Sequence, residues 1–110
     1  MSQQPESRFK ERVFKRLNEE FPRAWYTKIQ AGSIRGIPDI IGIEEGCGFV
    51  LELKVEEGKE GIQFPLQRHN IMKIKEEAKG FARVVYPETL EDVIAELKNH
   101  VRSITKKHYR

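Results

Sequence analysis

The chain is 110 residues long, with 20 Lys plus Arg against 17 Asp plus Glu and 38% hydrophobic residues, a size that suits one small domain with one core. It has no apolar run near the roughly 18 residues of a membrane span, and its start, MSQQPESRFK, lacks the apolar stretch of a secretory signal, so a soluble, cytoplasmic protein is expected. The single cysteine, Cys47, excludes an internal disulfide and a Cys-rich zinc site. The net charge of +3 is local: from Lys98 onward Lys98, Arg102, Lys106, Lys107 and Arg110 meet no acidic residue, and the other 97 residues carry 15 basic against 17 acidic groups. A basic tail serves solubility as readily as phosphate binding, so composition alone selects no function.

In chain order, Pro5 to Phe21 predicts a helix, because Pro5 suits a first turn and Phe9, Val13, Phe14 and Leu17 recur at helical spacing. Phe21-Pro22 ends it. Ala24 to Gln30 (AWYTKIQ) is rich in aromatic and β-branched residues and predicts a strand, followed by the loop AGSIRG with Gly32 and Gly36. PDIIGIEE predicts a second strand, Glu45 to Gly48 a turn, and GFVLELKVEE a third strand. After the loop EEGKEGIQF, Pro65 to Lys79 predicts a helix stopped by Gly80, and FARVVYP a fourth strand closed by Pro87. The last helix starts at Thr89, with Thr89 and Asp92 in a T-x-x-D capping pattern, and carries Leu90, Val93, Ile94, Leu97, Val101 and Ile104 on one stripe. The order is α-β-β-β-α-β-α, a meander followed by a helical crossover.

Several charged residues resist assignment to such a scaffold. In the third strand Phe49, Leu51, Leu53 and Val55 share one face and Val50, Glu52 and Lys54 the other, so an acid and a lysine stand together amid apolar neighbours. One solvated strand face would account for that pair alone. Asp39 stands thirteen residues before Glu52, and Pro38 ahead of it marks a strand entry and aims Asp39 toward Glu52. Two converging carboxylates beside an amine form a hard-oxygen site suited to Mg²⁺ or Mn²⁺, although a turn aspartate would read similarly. On the first helix, at about 100° per residue from Phe9, Glu6 falls near 60° within the apolar stripe and Glu11 near 200° toward water. Glu6 is thus a third metal-ligand candidate, or an ordinary acid in a first helical turn. Gln67 lies four residues before Ile71 on the inward face of the second predicted helix, as a water-orienting group or a bonded core amide.

Assembled, these residues resemble the PD-(D/E)XK nuclease superfamily, and most of all compact stand-alone members of its VRR-NUC (virus-type replication-repair nuclease) family. The resemblance spans roughly residues 6 to 87 and rests on Gly36-Ile37-Pro38-Asp39, Glu52-Leu53-Lys54, Pro65-Leu66-Gln67 followed by Arg68, and the element order. It implies an α/β fold of mixed α+β type, a restriction-endonuclease-like core with a four-stranded mixed sheet flanked by helices. The whole chain, 1 to 110, would be a single nuclease domain, with its core at about 5–87, a C-terminal helix at about 89–104 and a basic tail at 105–110. The resemblance further implies that Glu6, Asp39, Glu52 and the backbone carbonyl of Leu53 hold Mg²⁺ or Mn²⁺, without an organic cofactor. Lys54 would orient the attacking water and offset charge on the phosphate, with Gln67 as an accessory polar residue. The implied activity is that of a metal-dependent DNA endonuclease leaving 5′-phosphate and 3′-hydroxyl ends. Branched DNA such as a Holliday junction, cut by a homodimer in a phage or DNA-repair setting, is the implied substrate, in the host cytoplasm if the protein is phage-encoded.

The apolar faces of the first or last helix are candidate dimer surfaces. Arg35, Arg68, Lys28, Lys106 and Lys107 are candidate DNA contacts, while His69, His100 and His108 are too scattered for a zinc site. Two other readings stay open: the same chemistry on flaps, single strands, nicking sites or RNA, and a catalytically silent nucleic-acid-binding module.

Overall fold

The helical spacing at the N-terminus produces α1 (Pro5–Glu20), whose Phe9, Val13 and Leu17 are buried. The remaining elements are β1 (Trp25–Lys28), β2 (Ile40–Glu44), β3 (Cys47–Leu53), α2 (Phe64–Glu76), β4 (Phe81–Val85) and α3 (Leu90–His108). This computed structural model describes residues 5–30 and 35–108, with side chains described through 105. Residues 31–34 of the AGSIRG loop, the side chains of Lys106 and Lys107, and the last two residues of the expected tail lie outside that description.

The four strands form one sheet in the order β1-β2-β3-β4, antiparallel from β1 to β3 and parallel between β3 and β4. A parallel pair needs a long crossover, and α2 with its flanking loops supplies it. The mixed sheet and the element order are those expected from the sequence. At the β2–β3 hairpin Glu44 pairs with Cys47, which leaves a two-residue turn of Glu45 and Gly46 with φ of 50° and 82°. Positive φ at both positions matches the right-handed twist of the flanking strands. Cys47 and Gly48, expected in the turn, therefore belong to β3.

One face of the sheet packs against α1 and α3, where Val13, Leu17, Leu90, Leu97 and Val101 meet Phe49, Leu51, Phe81 and Val85 in a single cluster. The apolar stripes of the first and last helices are consumed there and are not available as dimer surfaces. The other face is covered by α2 only over β3 and β4, so Trp25, Ile41 and Ile43 stay exposed beside Val50 and Ile74.

Helix boundaries also move. Helix α2 ends at Glu76 and reverses through Lys79 at φ 59°, a left-handed position filled by a lysine one residue before the expected stop; the Gly80 N–H then donates to the Ile74 carbonyl at 3.0 Å. Thr89 fastens the turn into α3, its hydroxyl accepting the Tyr86 N–H at 3.0 Å. Helix α3 continues to His108, so most of the segment expected as a basic tail is helical. Among the described residues no helix is long and apolar enough to cross a membrane.

Candidate functional site

The site forms at one end of the sheet, where β1 stops, β2 starts and β3 stops. Its geometry begins with Gly36, which has φ of 76°; a Cβ there would come within 2.7 Å of both the Leu66 Cγ and the Asn70 Nδ2. Only glycine fits a left-handed position pressed against α2 in this way. The Asn70 amide donates to the Gly36 carbonyl at 2.7 Å and ties the loop to the helix. Pro38 then enters the sheet, and Asp39 sits immediately before β2, its carbonyl accepting the Ile29 N–H at 2.7 Å. The Asp39 Oδ2 accepts the Leu53 N–H at 2.8 Å, which pins the carboxylate to the end of β3.

Glu52 lies in β3 and is only 1% exposed. Its Oε2 is 3.2 Å from the Lys54 Nζ, while its Oε1 is buried without a hydrogen-bond partner. Burial foremost, then the facing Asp39 carboxylate, push the Glu52 carboxyl up to about 7 against the opposing pull of Lys54. Lys54 lies one residue past β3, and its N–H donates to the Val85 carbonyl at 2.9 Å, so the strand geometry persists long enough to keep it beside Glu52. Its ammonium also donates to the Glu60 carbonyl at 3.0 Å and stands 5.6 Å from the Phe64 ring centroid. Three elements hold one cation in place.

Gln67 is in the first turn of α2, between Phe64 and Asn70, and its Oε1 is also buried and unpartnered among the described residues. Asp39, Glu52 and Lys54 thus come together as expected, with the start of α2 alongside. Glu6 differs. It is exposed, not part of the buried stripe, and makes no hydrogen bond or ion pair among the described residues. Helical angle gives a direction, but the buried stripe begins only at Phe9, one turn later. Among the described residues no group of three or more His, Cys, Asp or Glu side chains is arranged as a metal cluster. The donor set present is a carboxylate pair with one vacant buried oxygen, which fits a hard divalent cation that keeps other positions for water and phosphate.

The basic candidates scatter. Arg35 is exposed on the Gly36 loop, near Asp39 in sequence. Arg68 instead lines a cavity of about 350 Å³ between α2 and β4 with Glu57, Glu60 and Tyr86. There the Tyr86 hydroxyl donates to Glu60 at 2.6 Å, and burial with Glu60 pushes its phenol above the ordinary range. Lys28 is the last residue of β1, and its neighbour is Lys10 of α1, a residue outside every motif of the sequence.

No family model matches the sequence, and no curated protein matches it. A solved structure described as a "VRR_NUC domain" covers 84% of this chain and 97% of its own length, with a TM-score of 0.66 and 18% sequence identity. The chain has the VRR_NUC fold. That likeness concerns the backbone path, and it agrees with the fold implied by the G-x-P-D and E-x-K motifs. In this VRR_NUC fold the two motifs meet at the end of the central strands, with Asp39 bonded to the residue that follows Glu52.

Proposed function

We propose that the protein is a divalent-metal-dependent nuclease of the PD-(D/E)XK type that hydrolyses phosphodiester bonds in DNA. The reading rests on one observation above all: Glu52, buried against Asp39, offers one oxygen to Lys54 and leaves the other vacant. A buried carboxylate oxygen without a partner is costly, and a cation beside it offsets the cost. Asp39, Glu52 and the Leu53 carbonyl would hold Mg²⁺ or Mn²⁺, and Glu6, on the same helix as Lys10, would approach from α1. Bound there, the ion supplies Lewis acidity toward the phosphate oxygens.

The chain's own residues do the rest. Lys54, fixed by Glu52, the Glu60 carbonyl and Phe64, places a positive charge where a phosphate would accumulate negative charge, and offers its remaining N–H to a water molecule. Gln67, with an unused amide oxygen at the start of α2, accepts a hydrogen from that water and narrows its orientation. Water then attacks phosphorus in line with the 3′ oxygen. A new P–O bond forms, the P–O3′ bond breaks, the water loses a proton to solvent and the 3′ oxygen gains one. The products are a 5′-phosphate and a 3′-hydroxyl.

For the substrate we propose branched DNA, cut by two copies acting together in the cytoplasm. The short chain, with few loops to read base edges, supports recognition of shape. The test is cleavage of a labelled immobile four-way junction, with duplex, flap, single-stranded DNA and RNA controls, in Mg²⁺, Mn²⁺ and Ca²⁺. Paired nicks confined to the junction in Mg²⁺ and Mn²⁺, with binding but no cut in Ca²⁺, are expected. Cleavage of controls alone would replace the substrate and keep the chemistry, and binding without any metal-dependent cut would reduce the protein to a binding module.

A further inference from the structure

Lys10 and Lys28 come from different elements and meet at the same end of the sheet as Asp39. Lys28 closes β1 opposite Ile40, the residue after Asp39, and the next N–H of that chain, Ile29, bonds the Asp39 carbonyl at 2.7 Å. Lys10 reaches this point from α1, one residue after the buried Phe9, and is itself only partly exposed. The two ammonium groups are within hydrogen-bonding reach of each other, and Asp39 is near enough to act on Lys10 electrostatically. Among the described residues neither lysine forms an ion pair of its own, although eight such contacts occur elsewhere among those residues.

Two ammonium groups held together without a counter-anion repel one another. The strain is visible in Lys10: burial, followed by the contact with Lys28, depresses its ammonium below the ordinary lysine range, and the attraction of Asp39 only partly restores it. An anion with several acceptor oxygens would take a hydrogen from each amine and cancel the repulsion. Across the sheet the order is Lys28 on β1, Asp39 just before β2, then Glu52 on β3 with Lys54 just past its end. Lys28 therefore lies on the β1 side of the acid pair and Lys54 at its β3 end.

We propose that Lys10 and Lys28 form a phosphate-binding pair that grips the nucleic-acid backbone on the β1 side of Asp39, one phosphate away from the bond that Lys54 attends. This rests on the nuclease reading for its ligand, a phosphodiester chain. It goes beyond that reading by assigning a second phosphate position and a residue, Lys10, that carries no family motif. Substitution with methionine keeps the aliphatic stem and removes the charge.

Two measurements test it on the full chain. The first is melting temperature without metal, in phosphate against chloride at matched ionic strength. Phosphate raises the wild-type value, and Lys10→Met or Lys28→Met abolishes the increment. The second is DNA affinity in Ca²⁺ as a function of salt, where each variant lowers the slope by about 0.9 and weakens binding about tenfold at low salt. Lys73→Met, on the exposed side of α2, leaves both readings unchanged. Equal phosphate increments and salt slopes in wild type and both variants overturn the pair, even if the protein cuts DNA. A phosphate increment lost in the variants, in a protein that never cuts, supports the anion pair and overturns the nuclease reading instead.

Discussion

Glu52 and Glu44 are the two buried acids among the described residues, at 1% and 6% exposure, and both belong to the β2–β3 hairpin. Both carboxyls are pushed upward first by burial, and both keep one oxygen without a hydrogen-bond partner. Their surroundings differ. Glu52, at the open end of the hairpin, has Lys54 at 3.2 Å and Asp39 facing it. Glu44, at the turn end, has another acid, Glu45, as its largest electrostatic influence, with a weaker contribution from Arg23, and borders a cavity of about 230 Å³ at the end of α1. Burial of an acid marks strain, and only the groups around it convert the strain into chemistry.

The sharpest break of this comparison is the same substitution at both positions. Glu52→Gln, nearly isosteric, is expected to lower metal-dependent cleavage on the order of a thousandfold. Glu44→Gln is expected to leave the rate within about twofold, since Glu44 sits at the turn end of the hairpin, at the opposite end of β2 from Asp39. A single cleavage assay of both variants decides it, and equal losses would mean that the hairpin acts through its fold.

Lys54→Met separates the pair energetically. It leaves Glu52 buried without its counter-charge, and urea denaturation should show a loss of about 3 kcal/mol. The double variant Glu52→Gln/Lys54→Met should recover most of that loss, whereas a fully additive result would deny the coupling. Gly36→Ala comes next. Its φ of 76° and the Leu66 and Asn70 atoms at 2.7 Å predict a cost of roughly 1–3 kcal/mol, with cleavage falling further because Asp39 follows on the same loop. Cleavage at the wild-type rate in that variant would show that the loop does not set Asp39.

The smallest effect is in pH. A carboxyl raised in the folded state holds its proton more tightly there than when unfolded, so stability is lost as pH rises from the ordinary 4.5 through the folded-state value. In Glu44→Gln that component disappears. The urea midpoint of the variant relative to wild type should therefore climb with pH over that window, and a constant difference would show that Glu44 is not strained.

Much of this was legible in the residues alone. Periodicity located the first and last helices and the third strand, and composition with Pro and Gly punctuation located the rest, because these signals lie within short stretches of chain. Asp39, Glu52 and Lys54 were legible for a related reason: a strand entry and a central strand position are local features, and adjacent antiparallel strands bring them together. Glu6 is exposed where burial was expected, because angle around a helix omits position along it. Lys10 was missed because a lysine on an amphipathic helix looks the same whether water or a second lysine lies beside it. Glu44 gave no sign of burial in IIGIEE, since the last residue of a strand is inward or outward according to the turn register.

The amino-acid sequence by itself determined the element order, the strand that carries Glu52 and leads into Lys54, and the loop glycine that delivers Asp39, because each depends on residues near one another in the chain. The tertiary structure decided which charges share a neighbourhood: that Lys54 takes one oxygen of Glu52 and leaves the other vacant, that Lys10 meets Lys28 and that Arg68 turns toward Tyr86. Electrostatic interaction depends on separation and burial between groups distant in sequence, and those quantities exist only once the sheet and its helices are packed.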